Sequence, residues 1–157
     1  MNDDRRWAEV ALRQANYAEV TSDYPGALAA VETAVERAVL AQDLTAEAEA
    51  YTAWGKVLWR QGRYEEARSP LEYALTLART THNHHAEAKG LYYLGDVYLY
   101  QGNYPDAQTH FQKALEVYRS EGHRQGEADS LNNLGQIHLE LGDYASARDT
   151  FEQVLAI

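Results

Sequence analysis

The stretch LYYLGDVYLYQGNYPDA, residues 91–107, decides the fold. Leu91, Leu94, Gly95 and Tyr98 recur at helical spacing and form one apolar face. The segment Gln101-Gly102-Asn103-Tyr104 then interrupts the helix, because a glycine just past a helix end takes the left-handed backbone there without strain. Pro105 follows near the start of a second helix, where its missing N–H costs little. Ala107, Phe111 and Ala114 make the inward stripe of that second helix.

Working outward, the same features return every 40 residues. Tyr24, Tyr64, Tyr104 and Tyr144 share the period, as do Ala27, Ala67, Ala107 and Ala147. Gly62, Gly102 and Gly142 share it with Ser22 in the first copy, and Gly55, Gly95 and Gly135 share it with Ala15. A fixed period of this size marks a stacked repeat protein. In register, the copies run 8–47, 48–87, 88–127 and 128–157; the first is the most divergent and the last stops early. Each divides into two helices, and the loop after each pair holds Gly122 or its equivalents His82 and Gln42. Gly95 and Ala107 are expected where two antiparallel helices come close, since a larger side chain would push them apart. Val57, Val97 and Ile137 are expected to face the preceding copy. One helix pair cannot bury its apolar surface alone, so the pairs must stack into an all-α solenoid.

Composition agrees and narrows the function. The 157 residues are 45% hydrophobic, contain 3 prolines, and are rich in helix-forming alanine, leucine and glutamate. The formal charge is −10, from 24 acidic and 14 basic residues, which argues against nucleic acid or an anionic membrane as the main partner. The absence of cysteine removes disulfides, thiolate zinc sites and thiol catalysis. Residues 1–7 are polar with no signal-like apolar core, and no run approaches a membrane span, so a soluble, cytoplasmic protein is the expectation.

Trp54-Gly55, Leu94-Gly95 and Leu134-Gly135, followed by Ala67, Ala107 and Ala147 and then Leu71, Phe111 and Phe151, resemble the tetratricopeptide repeat. The 40-residue spacing and Asn132-Asn133-Leu134-Gly135 are similar to the subclass of kinesin light chains, mitotic-spindle scaffolds and bacterial signalling arrays. The resemblance covers nearly the whole chain. It implies about four helix-turn-helix repeats in a right-handed superhelix, with a concave groove lined by each first helix. It also implies that an extended peptide or partner helix binds there.

The first copy, with Gln14 and Ala15 at the apolar-glycine positions, reads as a degenerate cap. The chain stops at Val154-Leu155-Ala156-Ile157, in an apolar helix, which reads as a fragment of a longer array. Phe151, Val154, Leu155 and Ile157 are therefore expected to find a partner, most simply the end of another molecule.

No phosphate-binding, dinucleotide-binding, nucleophile-elbow or zinc-protease motif is present, so no catalytic residue is assigned and a non-enzyme is expected. The serines are read at helix ends or outer faces. The His82-Asn83-His84-His85 run offers imidazoles, but adjacent positions in a turn rarely converge on one ion, so no metal or other cofactor is assigned.

Helical geometry assigns the groove lining to residues about 90° off the buried stripe. These are Arg13 and Asn16, Lys56 and Arg60, Tyr93, Asp96 and Tyr100, and Asn133 and Gln136. Amides pair with both backbone groups of an extended peptide, and tyrosine offers flat area with a polar end. Arg13, Lys56 and Arg60 are expected to form a basic patch favouring an acidic segment or a terminal carboxylate. The resemblance implies a backbone-holding asparagine before each Leu-Gly pair; only Asn133 matches, with Arg13, Ala53 and Tyr93 at the other places. The chain thus reads as a protein–protein interaction module, the scaffold or sensor segment of a signalling protein. The alternative is a receptor whose small-molecule or peptide ligand controls an attached effector.

Overall fold

A computed structural model describes residues 3–157. It holds eight helices: α1 (Asp3–Val20), α2 (Tyr24–Leu40), α3 (Leu44–Arg60), α4 (Tyr64–Thr80), α5 (His84–Tyr100), α6 (Tyr104–Ser120), α7 (Arg124–Glu140) and α8 (Tyr144–Leu155). There is no strand among the described residues. The four pairs α1/α2, α3/α4, α5/α6 and α7/α8 correspond to the four copies.

Every connector has three residues, and its middle residue has positive φ: Ser22 at 60°, Gln42 at 53°, Gly62 at 72°, His82 at 52°, Gly102 at 75°, Gly122 at 67° and Gly142 at 76°. The turns within pairs and those between pairs are therefore one device. In each, the N–H after the left-handed residue reaches back to a carbonyl of the last helical turn, as Asn103 N does to Tyr98 O at 2.9 Å. The following residue caps the next helix. Asp23, Asp43, Asn83, Asn103, His123 and Asp143 each accept from a first-turn N–H. Arg63 has no such bond and instead grips Glu66 through two hydrogen bonds, at 2.8 and 2.6 Å.

The close approach within each pair is set by a small residue facing a large one. A Cβ on Gly95 would lie 2.7 Å from the Phe111 ring, one on Gly135 2.7 Å from Phe151, and one on Gly55 2.3 Å from Leu71. The contact is to these large residues rather than to Ala107. In α1/α2, Val31 takes the large place and Ala15 the small one, and both are buried. The smaller Val31 leaves room for the extra methyl.

Between pairs the core is a continuous seam. Val57 packs with Ala15, Ala27 and Val31 of the preceding pair, and Ile137 with Leu99, Phe111 and Leu115. Val97 joins Leu71, Leu75 and Leu91 in the central cluster. Charged latches repeat as well, Arg79 to Glu87 and Arg119 to Glu127, each at 2.8 Å. α1 lies against α3 and α3 against α5, while α2 and α4 do not approach so closely, so these three first helices form the inner side of the stack, and α7 joins it through the Asn133 side chain. Ser130 corrects the reading of serines as outer residues: it is fully buried and its hydroxyl donates to Gly126 O at 2.8 Å. At the chain's end, Val154 and Ile157 pack on the seam, Phe151 covers Gly135, and Leu155 is 87% exposed.

Gly95→Ala should lower stability by roughly 1–3 kcal/mol through overpacking against Phe111. Adding Phe111→Leu should cost less in that background than alone, and thermal melts of the two single variants and the double read the coupling. His82→Gly should raise the melting temperature, by about 1 kcal/mol of stability, because it relieves an L-residue from the left-handed region.

Candidate functional site

The first helices each present one stripe to the inner side, and its members recur at spacings of three and four residues. On α3 it runs Glu49, Ala53, Lys56, Arg60, and on α5 Lys89, Tyr93, Asp96, Tyr100. On α7 it runs Asp129, Asn133, Gln136, Glu140.

A cavity of about 240 Å³ opens on this face, with Asn16 of α1, Thr52 and Lys56 of α3, the α5 cap Asn83, and Lys89 and Tyr93 of α5 in its wall. Arg13, Asn16, Tyr100 and Gln136 are exposed, whereas Tyr93 and Asn133 are half-buried. A larger cavity of about 500 Å³ lies elsewhere, on the side of α3 turned toward α4, beside Tyr51, Trp54, Pro70 and Tyr73.

The basic patch does not exist as expected. Lys56 Nζ lies 3.0 Å and Arg60 Nε 2.6 Å from the two oxygens of Glu19, whose side chain is almost fully buried. Glu19 occupies the place that Trp59, Leu99 and Leu139 hold in the other copies, so the seam carries a charge here and takes both cations as counterions. Arg13 stands apart on α1. Lys89, one turn before Tyr93, is exposed and forms no ion pair among the described residues.

Asp96 and Asn133 are brought together. The Asn133 amide donates to Asp96 Oδ1 at 3.0 Å and to the Tyr92 hydroxyl at 3.2 Å, tying α7 to α5. Asp96 is 4% exposed and has no cationic partner among the described residues. Burial pushes its carboxyl up to about 7; the Asn133 hydrogen bond opposes this and Asp129 adds to it. Burial likewise raises Tyr93 to about 12, with Glu19 and Asp96 adding to the shift. Tyr100 lies at the edge of the groove, stacked on Tyr64 with centroids 5.6 Å apart and edge-on to Trp59 at 5.7 Å. Trp59 Nε1 is buried with no acceptor among the described residues.

The histidine run disperses. His82 holds the left-handed turn, and the His85 ring lies 5.1 Å from His123. Burial pushes His85 below its ordinary value, helped by Lys89 and His123 and opposed by Glu121. Among the described residues, no three His, Asp or Glu side chains are grouped to hold a metal ion. No described helix is long and apolar enough to cross a membrane.

Two family profiles, both described as tetratricopeptide repeat, match residues 12–82 and 86–157, and together they cover most of the chain. The chain belongs to the tetratricopeptide repeat family. No curated protein matches it significantly. Among solved structures it is similar to the tetratricopeptide domain of Arabidopsis FLU, at 24% identity and TM-score 0.68, covering 72% of this chain and 95% of that one. It is also similar to aspartyl phosphate phosphatase F from Bacillus subtilis, at 18% identity and TM-score 0.88, over 99% of this chain and 41% of that one. A Rap protein complexed with Competence and Sporulation Factor matches at 17% identity and TM-score 0.91, over 99% of this chain and 44% of that one. The chain thus spans under half the length of the last two. At these identities the likeness establishes the fold alone.

The stripe rule, followed one turn further back on α5 and α7, would have included Lys89 and Asp129. Glu19 had a different signal, a charge where the other copies are apolar.

Asp96 yields a pH prediction. Its folded value of about 7 is above the ordinary 3.8, so the stability it contributes is complete below 3.8 and is lost as pH rises to about 7. Asp96→Asn should therefore be more stable than the parent at pH 7 and above, by up to roughly 4 kcal/mol, and the gap should close toward pH 4. Melts of both proteins across this range measure it; a constant gap would mean that Asp96 is ionised throughout.

Proposed function

We propose that the concave face holds an extended polypeptide segment, and that this interaction module serves as a scaffold or sensor part of a larger signalling protein. The observation that carries the reading is the 240 Å³ cavity on the inner stripe. Amide, hydroxyl and ammonium groups from three first helices line it, with the Tyr93 ring beside them. Such a wall pairs with both N–H and C=O of an extended backbone, while a half-buried ring supplies apolar contact. The neighbouring α7 adds Asn133 and Gln136 along the same line. Chain fold also supports the reading, since a Rap protein of the same fold was solved with a bound factor. We read the role as holding a partner, because the inner stripe offers amide, ammonium and aromatic groups suited to that.

The test starts from peptides selected on the purified protein from a random displayed library. Asn16→Ala combined with Lys89→Ala should weaken the selected peptides about tenfold or more without changing the melt, because both side chains are exposed. Glu116→Ala on the exposed side of α6 should leave binding unchanged. Peptides that bind the double variant as tightly as the parent would remove the cavity between α1, α3 and α5 from consideration.

A further inference from the structure

The half of the concave face between α5 and α7 differs in charge from the half between α1 and α5. In the first half, Glu19 is matched by Lys56 and Arg60. In the second, the stripe carries Asp96, Asp129 and Glu140 against one lysine, Lys89, which stands at the repeat position of Asp129, one turn before Tyr93. Its polar groups are also arranged one way. The Asn133 amide nitrogen is used on Asp96 Oδ1 and the Tyr92 hydroxyl, which leaves its carbonyl oxygen as an acceptor. Asp96 Oδ2 receives no hydrogen bond from a described residue, and Asp129 accepts one, from Gln125 at 2.8 Å. Carboxylate and amide acceptors gather there beside the Tyr93 ring, and the Asn133 donors are spent within the protein.

We propose that this α5–α7 half docks an extended polypeptide segment through a cationic group, an arginine or lysine side chain or an N-terminal ammonium, seated between Asp96 and Asp129 beside Tyr93. The inference rests on the groove reading above and names the chemistry of its partner. Charge complementarity selects this occupant. A buried carboxylate with no counterion is costly, and a ligand cation supplies what the fold does not. Burial already holds the Asp96 carboxyl at about 7, the condition a bound cation relieves. The net charge of −10 steers a basic segment toward this protein and an acidic one away.

The experiment uses two heptapeptides identical except for a central arginine or its neutral isostere citrulline, with a third carrying glutamate there. Each is titrated to millimolar concentration into the isotopically labelled protein, following the backbone amides of α5 and α7 and the Asn133 side-chain amide. The arginine peptide should bind about tenfold more tightly than the citrulline peptide. Asp96→Asn should reduce that preference to near unity and Asp129→Asn should reduce it in part, both keeping the parent's far-ultraviolet circular dichroism. Glu116→Gln, which removes a carboxylate on the exposed side of α6, should leave it intact. Equal binding of arginine and citrulline peptides in the groove, or tighter binding of the glutamate peptide, overturns the cationic site and leaves the groove reading standing. Absence of α5 and α7 shifts with every peptide overturns both.

Discussion

A glycine pressed against a large side chain holds each later helix pair at its spacing. Gly95 beneath Phe111 and Gly135 beneath Phe151 bring two helix backbones close enough that one more carbon would overlap the ring. That distance determines how far the flanking apolar residues project, and so which of them reach the next pair. Leu71, Leu91, Leu94 and Val97 meet in one cluster because α3/α4 and α5/α6 are each drawn in tightly. The first pair obeys the same constraint with a different division of volume, Ala15 with Val31. Packing at interior density leaves little freedom in this sum, which is why the two positions change together.

The inner face follows from the same stacking. First helices approach one another along the seam, so polar side chains on neighbouring helices come within bonding distance and consume each other. Lys56 and Arg60 are drawn to Glu19, and Asn133 to Asp96 and Tyr92. What remains available is a smaller and differently charged set: Asn16, Lys89 and Tyr93 around the cavity, then Asp96 Oδ2 and Asp129 further along. A solenoid groove is thus a residue of internal pairing, and its character cannot be summed from the side chains that line it.

Much of the architecture was legible because its determinants are local and repeated. Gly102 and Asn103 announce a helix end and a cap, and Leu91, Leu94 and Tyr98 announce the buried stripe, in each case from residues a few positions apart. Part of the candidate set is brought together: Asn16, Lys56 and Tyr93 share one cavity wall, and Asn133 bonds to Asp96. The electrostatics of the groove were not legible. Glu19 lies on a different helix from its partners, and nothing in the spacing of Lys56 and Arg60 shows that a carboxylate one repeat earlier will neutralise them. The latches of Arg79 with Glu87 and Arg119 with Glu127 lay in plain view as a 40-residue recurrence, but charge at a surface repeat position reads equally as solvation.

By itself the sequence determined the eight helices, their left-handed turns and their grouping into stacked pairs. Each of these depends on backbone preference and on side chains within one or two turns, and the 40-residue period states them repeatedly. Only the tertiary structure decided which groups of the inner face remain unpaired, because those bonds join residues some 37 to 41 positions apart across neighbouring repeats. Their formation is governed by the separation and tilt of one helix pair against the next, and that geometry emerges from the packed volume of the whole seam.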